Sequence, residues 1–250
     1  MKIVAIVQAR MGSTRLPNKV MNMIGGMPMI EILLSRLSHS TEINQILLAT
    51  SKDKRNISLI DHVQKLGYIC ICGSENDVLN RYLVAAKKSK ADIIVRITGD
   101  CPLIDPILVD KLIKFTYDNN IDYCSNTLIE NYPDGQDIEV FKFSALEVAW
   151  ENAILSSDRE HVTPYIRNNS DFKGANIFKA LNYPCASNYS KIRMTVDEPR
   201  DFDLIKILIK DLGTNKTWLE YTNHIIKNDL NKINNSIIRN EGLLKSLKNV

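Results

Sequence analysis

The sequence predicts an α/β protein with a mostly parallel sheet, helices on both faces and one inserted lobe. Three observations lead there. Strand-like and helix-like patterns alternate through the first 125 residues. The strand-like segments are continuous apolar runs, IVAIV and ILLAT among them, as strands buried on both faces require. After Asn126 the alternation stops, and a turn cluster, Asn131-Tyr-Pro-Asp-Gly135, opens a stretch of different rhythm.

Each element follows from its local pattern. Residues 2–9 form the first buried strand. Residues 28–37 are helical, with Met29, Ile32, Leu33 and Leu37 on one side. A second strand covers 45–50, a helix 54–66 and a third strand 68–72. Residues 77–88 form a helix with Val78, Leu79, Tyr82, Leu83 and Ala86 on one stripe, and Ser74-Glu-Asn-Asp77 reads as a capping box before it. A strand at 92–98, a helix at 107–119 capped by Asp105, and a fifth strand at 121–125 follow. This spacing reads as parallel strands joined by helices. Beyond Asn126, residues 137–141, 176–181 and 192–196 read as strands, and 144–154 and 158–167 as helices. Pro199–Leu212 is a helix, with Pro199 in its first turn and Ile205, Leu208, Ile209 and Leu212 at i, i+3, i+4 and i+7. Residues 213–250 are rich in Asn and Lys. With no linker and no repeat, 1–250 reads as one domain. It comprises a half at 1–125, an inserted lobe at 126–190, a return strand and helix at 191–212, and a C-terminal helical extension at 213–250.

The 250 residues suffice for one sizeable core. Hydrophobic residues at 44% and charged residues at 24% exclude an intrinsically disordered chain. A net charge of +3 lacks the basic bias of a nucleic-acid binder. No apolar run approaches the roughly 18 residues that span a bilayer, and the N-terminal MKIVAIVQAR is too short for a signal segment. A cytoplasmic chain with neither membrane nor nucleic acid as partner is expected. Cys70, Cys72, Cys101, Cys124 and Cys185 form no disulfide framework, and Cys70–Cys72 lacks the second pair that zinc requires, so they read as buried thiols.

Four motifs carry chemistry. The first, Gln8-Ala-Arg-Met-Gly-Ser-Thr-Arg-Leu-Pro-Asn-Lys19, follows the first strand, where open α/β sheets bind ligands. Arg10, Arg15 and Lys19, with Gly12, Ser13 and Thr14 between them, suit a polyphosphate. It is neither a Walker A loop nor G-x-G-x-x-G. In the second, Val95-Arg-Ile-Thr-Gly-Asp-Cys-Pro102, a strand ends at Thr98 and Asp100 faces the same crevice. A carboxylate beside a triphosphate is a reasonable Mg²⁺ ligand. In the third, Lys191-Ile-Arg-Met-Thr-Val-Asp-Glu-Pro199, Asp197 either converges with Asp100 on one metal or caps the following helix. The fourth joins Asp134-Gly-Gln-Asp-Ile-Glu-Val140 to Asp158-Arg-Glu-His-Val-Thr-Pro-Tyr165 and crowds Asp134, Asp137, Glu139, Arg159, Glu160 and His161 into the lobe. His161 there can orient a substrate, act as a base, or be purely structural.

Together QARMGSTRLPNKV, GSENDVLNRY, RITGDCPLID, YPDGQDIEVF, DREHVTPYI, MTVDEP and RNEG (239–242) resemble the spore-coat-polysaccharide type of cytidylyltransferase, a relative of the CMP-Kdo and CMP-sialic acid synthetases. The resemblance implies a Rossmann-like nucleotidyltransferase fold. It also implies Mg²⁺-dependent transfer of CMP from CTP to a small acidic acceptor, such as a sugar acid, for surface polysaccharide. By similarity Arg10, Gly12, Ser13, Arg15, Lys19 and Thr98 bind the nucleotide, with Asp77 and Arg81 as further candidates. Asp100 and Asp197 hold the metal, and Arg15, Lys19 and Asp100 carry the chemistry. Glu139, Arg159 and His161 shape the acceptor site. Such relatives tend to dimerise through the lobe, so a homodimer is an expectation. The Kdo enzymes carry Gln where this chain has Thr98, which leaves a phosphonate or other non-sugar acid as an alternative acceptor. A glycosyltransferase is the alternative of another class, but it would show a D-x-D pair where this chain has Gly99-Asp100-Cys101.

Overall fold

The structure, a computed structural model, is described for residues 1–239. One seven-stranded sheet organises it. Its strands are β1 (Ile3–Gln8), β4 (Gln45–Ser51), β5 (Ile69–Gly73), β6 (Ile93–Thr98), β7 (Tyr123–Ser125), β8 (Glu139–Lys142) and β9 (Ala180–Asn182), in the order β5-β4-β1-β6-β8-β7-β9. A small hairpin of β2 (Met23–Ile24) and β3 (Met27–Pro28) stands apart. β1 pairs in parallel with β4 and β6, and β4 with β5. β8 runs antiparallel to both β6 and β7, so the sheet is mixed where the lobe joins it.

Alternation along β1 shows why its run is wholly apolar. Ala5 and Val7 pack into the core on one face, with Leu48, Val95 and Ile97; Val4 and Ile6 pack on the other, with Leu47, Ala49 and Ile94. Helices α1 (Met29–Leu37), α2 (Ile57–Lys65), α4 (Pro106–Asp118), α8 (Pro199–Leu212) and α9 (Trp218–Lys227) cover the first face. Helices α3 (Val78–Ser89), α5 (Phe143–Asn152), α6 (Ser156–His161) and α7 (Pro164–Asn168) cover the second. No helix among the described residues is long and apolar enough to cross a membrane.

Several expectations are corrected. Residues 192–196 are extended but form no strand. They meet loops beyond the strand ends, so their N–H groups bond Asp134 O (2.6 Å from Met194, 3.1 Å from Thr195) and Asp100 O (2.8 Å from Val196) instead of a ladder. The helix expected at 158–167 is two short helices, because Pro164 has no N–H and Val162 turns to φ +74°. The strand expected at 176–181 is confined to β9, with Phe178 making only an isolated bridge to Ser170. The capping box at 74–77 is instead an N-cap by Asp77, whose carboxylate accepts from Asn80 N–H, while Ser74 Oγ accepts from Asp77 N–H. All five cysteines are free, but only Cys101 and Cys124 are buried.

Two glycines set how closely the site's segments approach. At Gly99 a Cβ would lie 2.7 Å from Ala9 Cβ, so only glycine lets the ends of β1 and β6 meet. Gly135 has φ +100°, and a Cβ there would lie 2.4 Å from Thr195 N. Gly135→Ala is expected to cost about 2–5 kcal/mol, combining backbone strain with overpacking. Urea unfolding of the purified variant measures this, and an unchanged midpoint would show that residues 192–197 yield freely.

Candidate active site

The loop after β1 lines a cavity of about 280 Å³ with Arg10, Gly12, Ser13, Thr14, Arg15 and Lys19, and the end of β6 closes it with Thr98, Gly99 and Asp100. Local bonds shape the loop. Met11 N–H donates to Asn56 Oδ1 (2.8 Å), and Ser13 N–H to Met11 O (2.9 Å). Lys19 follows Asn18, whose left-handed backbone (φ 56°) starts a short helical turn.

That turn directs Lys19 to the centre of the site. Its Nζ donates to Asp197 Oδ1 (2.9 Å) and Val196 O (2.8 Å) and lies 3.5 Å from Asp100 Oδ2. Asp100 and Asp197, far apart in sequence, thus converge on one ammonium. Burial opposes the charge on Lys19, but the two carboxylates outweigh it and raise its pKa. Burial likewise opposes ionisation of Asp197, but Lys19, Arg15 and Arg193 outweigh it and lower its pKa. Asp197 does not cap α8. Glu198 does, in a reciprocal box with Asp201. Arg193 braces this segment, bonding Asp134, Asp197 (3.1 Å) and the fully buried Asp201 (2.9 and 3.0 Å). Asp201 in turn accepts from the N–H groups of Asp197 (2.9 Å) and Glu198 (3.0 Å).

A second cavity of about 420 Å³ adjoins the first and shares Arg15, Thr98 and Asp100 with it. Its far wall comes from the lobe: Glu139, His161, Thr163 and Arg167, with Asp134 and Asp137 beside Asp100. Glu139, 5% exposed, pairs with Arg96 and accepts from the hydroxyls of Tyr123 and Thr163. Burial would raise it, but Arg96, Arg167 and those hydroxyls leave it lowered and ionised. Burial lowers His161, which favours the neutral ring. His161 and Thr163 flank Val162 in a tight turn closed by Thr163 N–H to His161 O (2.9 Å). A β-branched residue at positive φ costs about 1–3 kcal/mol, and the turn brings both neighbours to the cavity. Another cavity, of about 400 Å³ beside Arg36 and Asp105, has its polar groups already engaged. Arg36 bonds four carbonyls, and Asp105 caps α4 and binds Trp218 N–H.

Three expected site residues lie elsewhere. Arg159 turns away from the cavity and clamps Asp77 (2.6 and 3.0 Å) as well as the carbonyls of Trp150 and Ala153. Asp77 is therefore occupied twice, as a helix cap and by Arg159. Arg81 is 1% exposed, packs against Gly73 and donates to Ser74 O. Thr50 Oγ1, Glu75 Oε2 and Arg81 Nε are buried without hydrogen-bond partners among the described residues, and Glu75 pairs with Arg10. Sequence reasoning missed Arg96, Glu130, Arg167 and Arg193 as cavity residues, and placed Asp134 and Asp137 in a motif of the lobe without giving them a role. Arg96 and Arg193 had a signal, a single charge inside an apolar run. Arg239 opens the RNEG motif and binds Asp137 (2.8 Å) and Tyr132 O (3.1 Å); residues 240–242 lie outside the described residues.

A basic loop at a strand end, facing two carboxylates across a Rossmann-like crevice, agrees with a cytidylyltransferase family model that matches residues 4–237. The chain belongs to the cytidylyltransferase family. It is 43% identical over 206 residues to an uncharacterized protein of Methanocaldococcus jannaschii, covering 82% of each chain. It is 35% identical over 216 residues to the spore coat polysaccharide biosynthesis protein SpsF of Bacillus subtilis, covering 84% of this chain and 88% of that one. A cytidylyltransferase structure from Leptospira borgpetersenii superposes with a TM-score of 0.88 at 34% identity, covering 96% of this chain and all of that one. The chain is thus a CMP-transferring cytidylyltransferase enzyme, and the two cavities adjoin across Arg15, Thr98 and Asp100.

The acidic pair Asp134 and Asp137 gives a pH signature. Burial first holds both above the usual carboxylate range; Asp137 and Asp100 add to it at Asp134, and Asp100, Glu130 and Glu139 at Asp137, against the pull of Arg239 on both and of Arg193 on Asp134. A raised carboxylate favours the folded state while protonated. That contribution is present below about pH 4 and is lost as pH rises towards neutrality. The melting temperature of wild type should therefore fall relative to Asp137→Asn between about pH 4 and 7. Parallel curves would place Asp137 at its ordinary value.

Proposed function

We propose that the chain transfers CMP from CTP to an acidic acceptor, with release of pyrophosphate and with Mg²⁺ as cofactor, in the making of a surface polysaccharide. The observation that carries this reading is the shared wall of the two cavities. Arg15, Thr98 and Asp100 belong to both, so a nucleotide in one presents its α-phosphate to a group in the other.

Support for an acid comes from Arg167. The other cavity arginines have carboxylate partners: Arg15 with Asp197, Arg96 with Glu139, and Arg193 with Asp134, Asp197 and Asp201. The guanidinium of Arg167 has no ion-pair or hydrogen-bond partner among the described residues, although its charge is felt by Glu139 and Tyr123. A guanidinium fork facing a cavity suits a carboxylate or a phosphonate. The name of the Bacillus subtilis relative supports the polysaccharide context. Ile129, Ile154 and Ile177, exposed on the lobe, support a homodimer formed there.

The donor set fits the cofactor. Asp100 and Asp197 already surround one cation, and Mg²⁺ usually takes one or two carboxylates with phosphate oxygens and waters. No group of three or more His, Cys, Asp or Glu that could hold a metal without the substrate occurs among the described residues. When bound, the metal would neutralise phosphate charge. In the transfer the acceptor oxygen attacks the α-phosphorus in line, and the bond to pyrophosphate breaks. Arg10, released from Glu75, and the N–H groups of Gly12 and Thr14 hold the triphosphate. Arg15 and Lys19, released from Asp197, stabilise the departing charge. Thr98 Oγ1, hydrogen-bonded to Asp100, fixes that carboxylate.

CTP with Mg²⁺ should raise the melting temperature more than ATP or GTP, because a ligand of the native state stabilises it by mass action. Equal shifts with all nucleotides would defeat cytidine specificity. Pyrophosphate release over a panel of sugar acids, phosphonates and neutral sugars tests the acceptor, and activity with neutral sugars alone would reject an acid. Lys19→Ala should lose roughly 2–4 kcal/mol of transition-state stabilisation in kcat/KM. A change within about twofold would make Lys19 merely structural.

A further inference from the structure

Asp137 stands in the wall of the second cavity and Arg239 binds it from outside that wall, and neither has a role in the chemistry above. We propose that Asp137, positioned by Arg239, takes the proton from the attacking hydroxyl of the acceptor. This rests on the transfer proposed above and names the base that transfer requires.

The backbone on either side of Asp137 is fixed. Gln136 accepts from Asp105 N–H (3.0 Å) and donates to Leu103 O (2.8 Å), and Ile138 N–H donates to Asn126 Oδ1 (2.9 Å). The carboxylate opens onto the cavity with 30% of the side chain accessible. Oδ1 accepts from Arg239 (2.8 Å), whereas Oδ2 has no hydrogen-bond partner among the described residues. Arg239 is itself held by Tyr132 O (3.1 Å) and lies 3.8 Å from Glu130. A guanidinium anchored on two sides presents one oxygen of Asp137 to the protein and leaves the other for the cavity.

The other carboxylates of this wall are engaged. Glu139 serves Arg96, Tyr123 and Thr163; Asp134 serves Arg193; Asp100 and Asp197 share Lys19. The charged groups facing Asp137 are Asp100, Glu130, Asp134, Glu139 and Arg239. Burial and the carboxylates of Asp100, Glu130 and Glu139 make it more basic than a surface aspartate, and Arg239 keeps it ionised near neutrality. In the step, the acceptor oxygen forms its bond to the α-phosphorus, and pyrophosphate leaves with the electron pair of the broken P–O bond. The hydroxyl proton passes to Oδ2 and from there to solvent.

The test measures pyrophosphate release against pH for wild type, Asp137→Asn, Asp137→Glu and Arg239→Ala, with the CTP-induced melting shift as the control for folding and nucleotide binding. Asp137→Asn should lower kcat about 100-fold or more with that shift intact, in the range expected for removing a general base. Asp137→Glu should recover part of the rate. Arg239→Ala should move the acid limb of kcat/KM upward by on the order of one pH unit, because a cation beside the base is gone. An Asp137→Asn rate within about threefold of wild type, or an acid limb indifferent to Arg239, overturns the assignment and turns attention to His161. Wild type inert towards every acid in the panel would instead reject the acceptor class, and this inference with it.

Discussion

The ammonium of Lys19 sits where three separate pieces of the chain end: the loop after β1, the end of β6 and the segment before α8. Without a cation at that point two half-buried carboxylates would face each other, which disfavours their joint ionisation. The parallel central strands make the meeting possible, since β1 and β6 deliver their carboxyl ends to the same edge. The third piece arrives without a strand and is held from below by Arg193 and Asp201. Charge balance, rather than a ladder of backbone bonds, thus fixes where Asp197 stands.

Close backbone approach is the second constraint. β1 and β6 come together at Ala9 and Gly99, and the lobe meets the return segment at Gly135 and Thr195. Both contacts exclude a side chain, and both lie within a few residues of a carboxylate of the site. The tight turn at Val162 belongs to the same pattern. Local strain there is held by a buried valine and brings His161 and Thr163 to the cavity.

How much could be read from the sequence follows from this. The strands β1, β4 and β6 were legible because the central positions of strands buried on both faces are apolar, and the loop after β1 because its charges stand at a strand end. Asp105 was legible as a helix cap because the residue types carry the geometry. Residues 192–196 were not, since an apolar extended run looks the same whether its partner is a strand or two loops. Arg159 and Arg167 occupy the same charged stretch, and only the break at Val162 decides that the first turns towards Asp77 and the second towards the cavity. Asp77 and Arg81 were assigned by resemblance to a ligand, whereas the folded chain gives each of them protein neighbours.

The wall shared by the two cavities has a further consequence. Apart from Arg15, Thr98 and Asp100, the residues of the first cavity come from the sheet half, whereas those of the second come mostly from the lobe and the return segment. On the function proposed above, the two halves can drift at different speeds: exchange of the lobe would retarget the enzyme to a new acceptor while the nucleotide half stays in place. A chimera that takes only residues 126–170 from a relative would also inherit a mismatched neighbour for Arg193 and Arg239. The transplantable module is the lobe together with the segments that brace it.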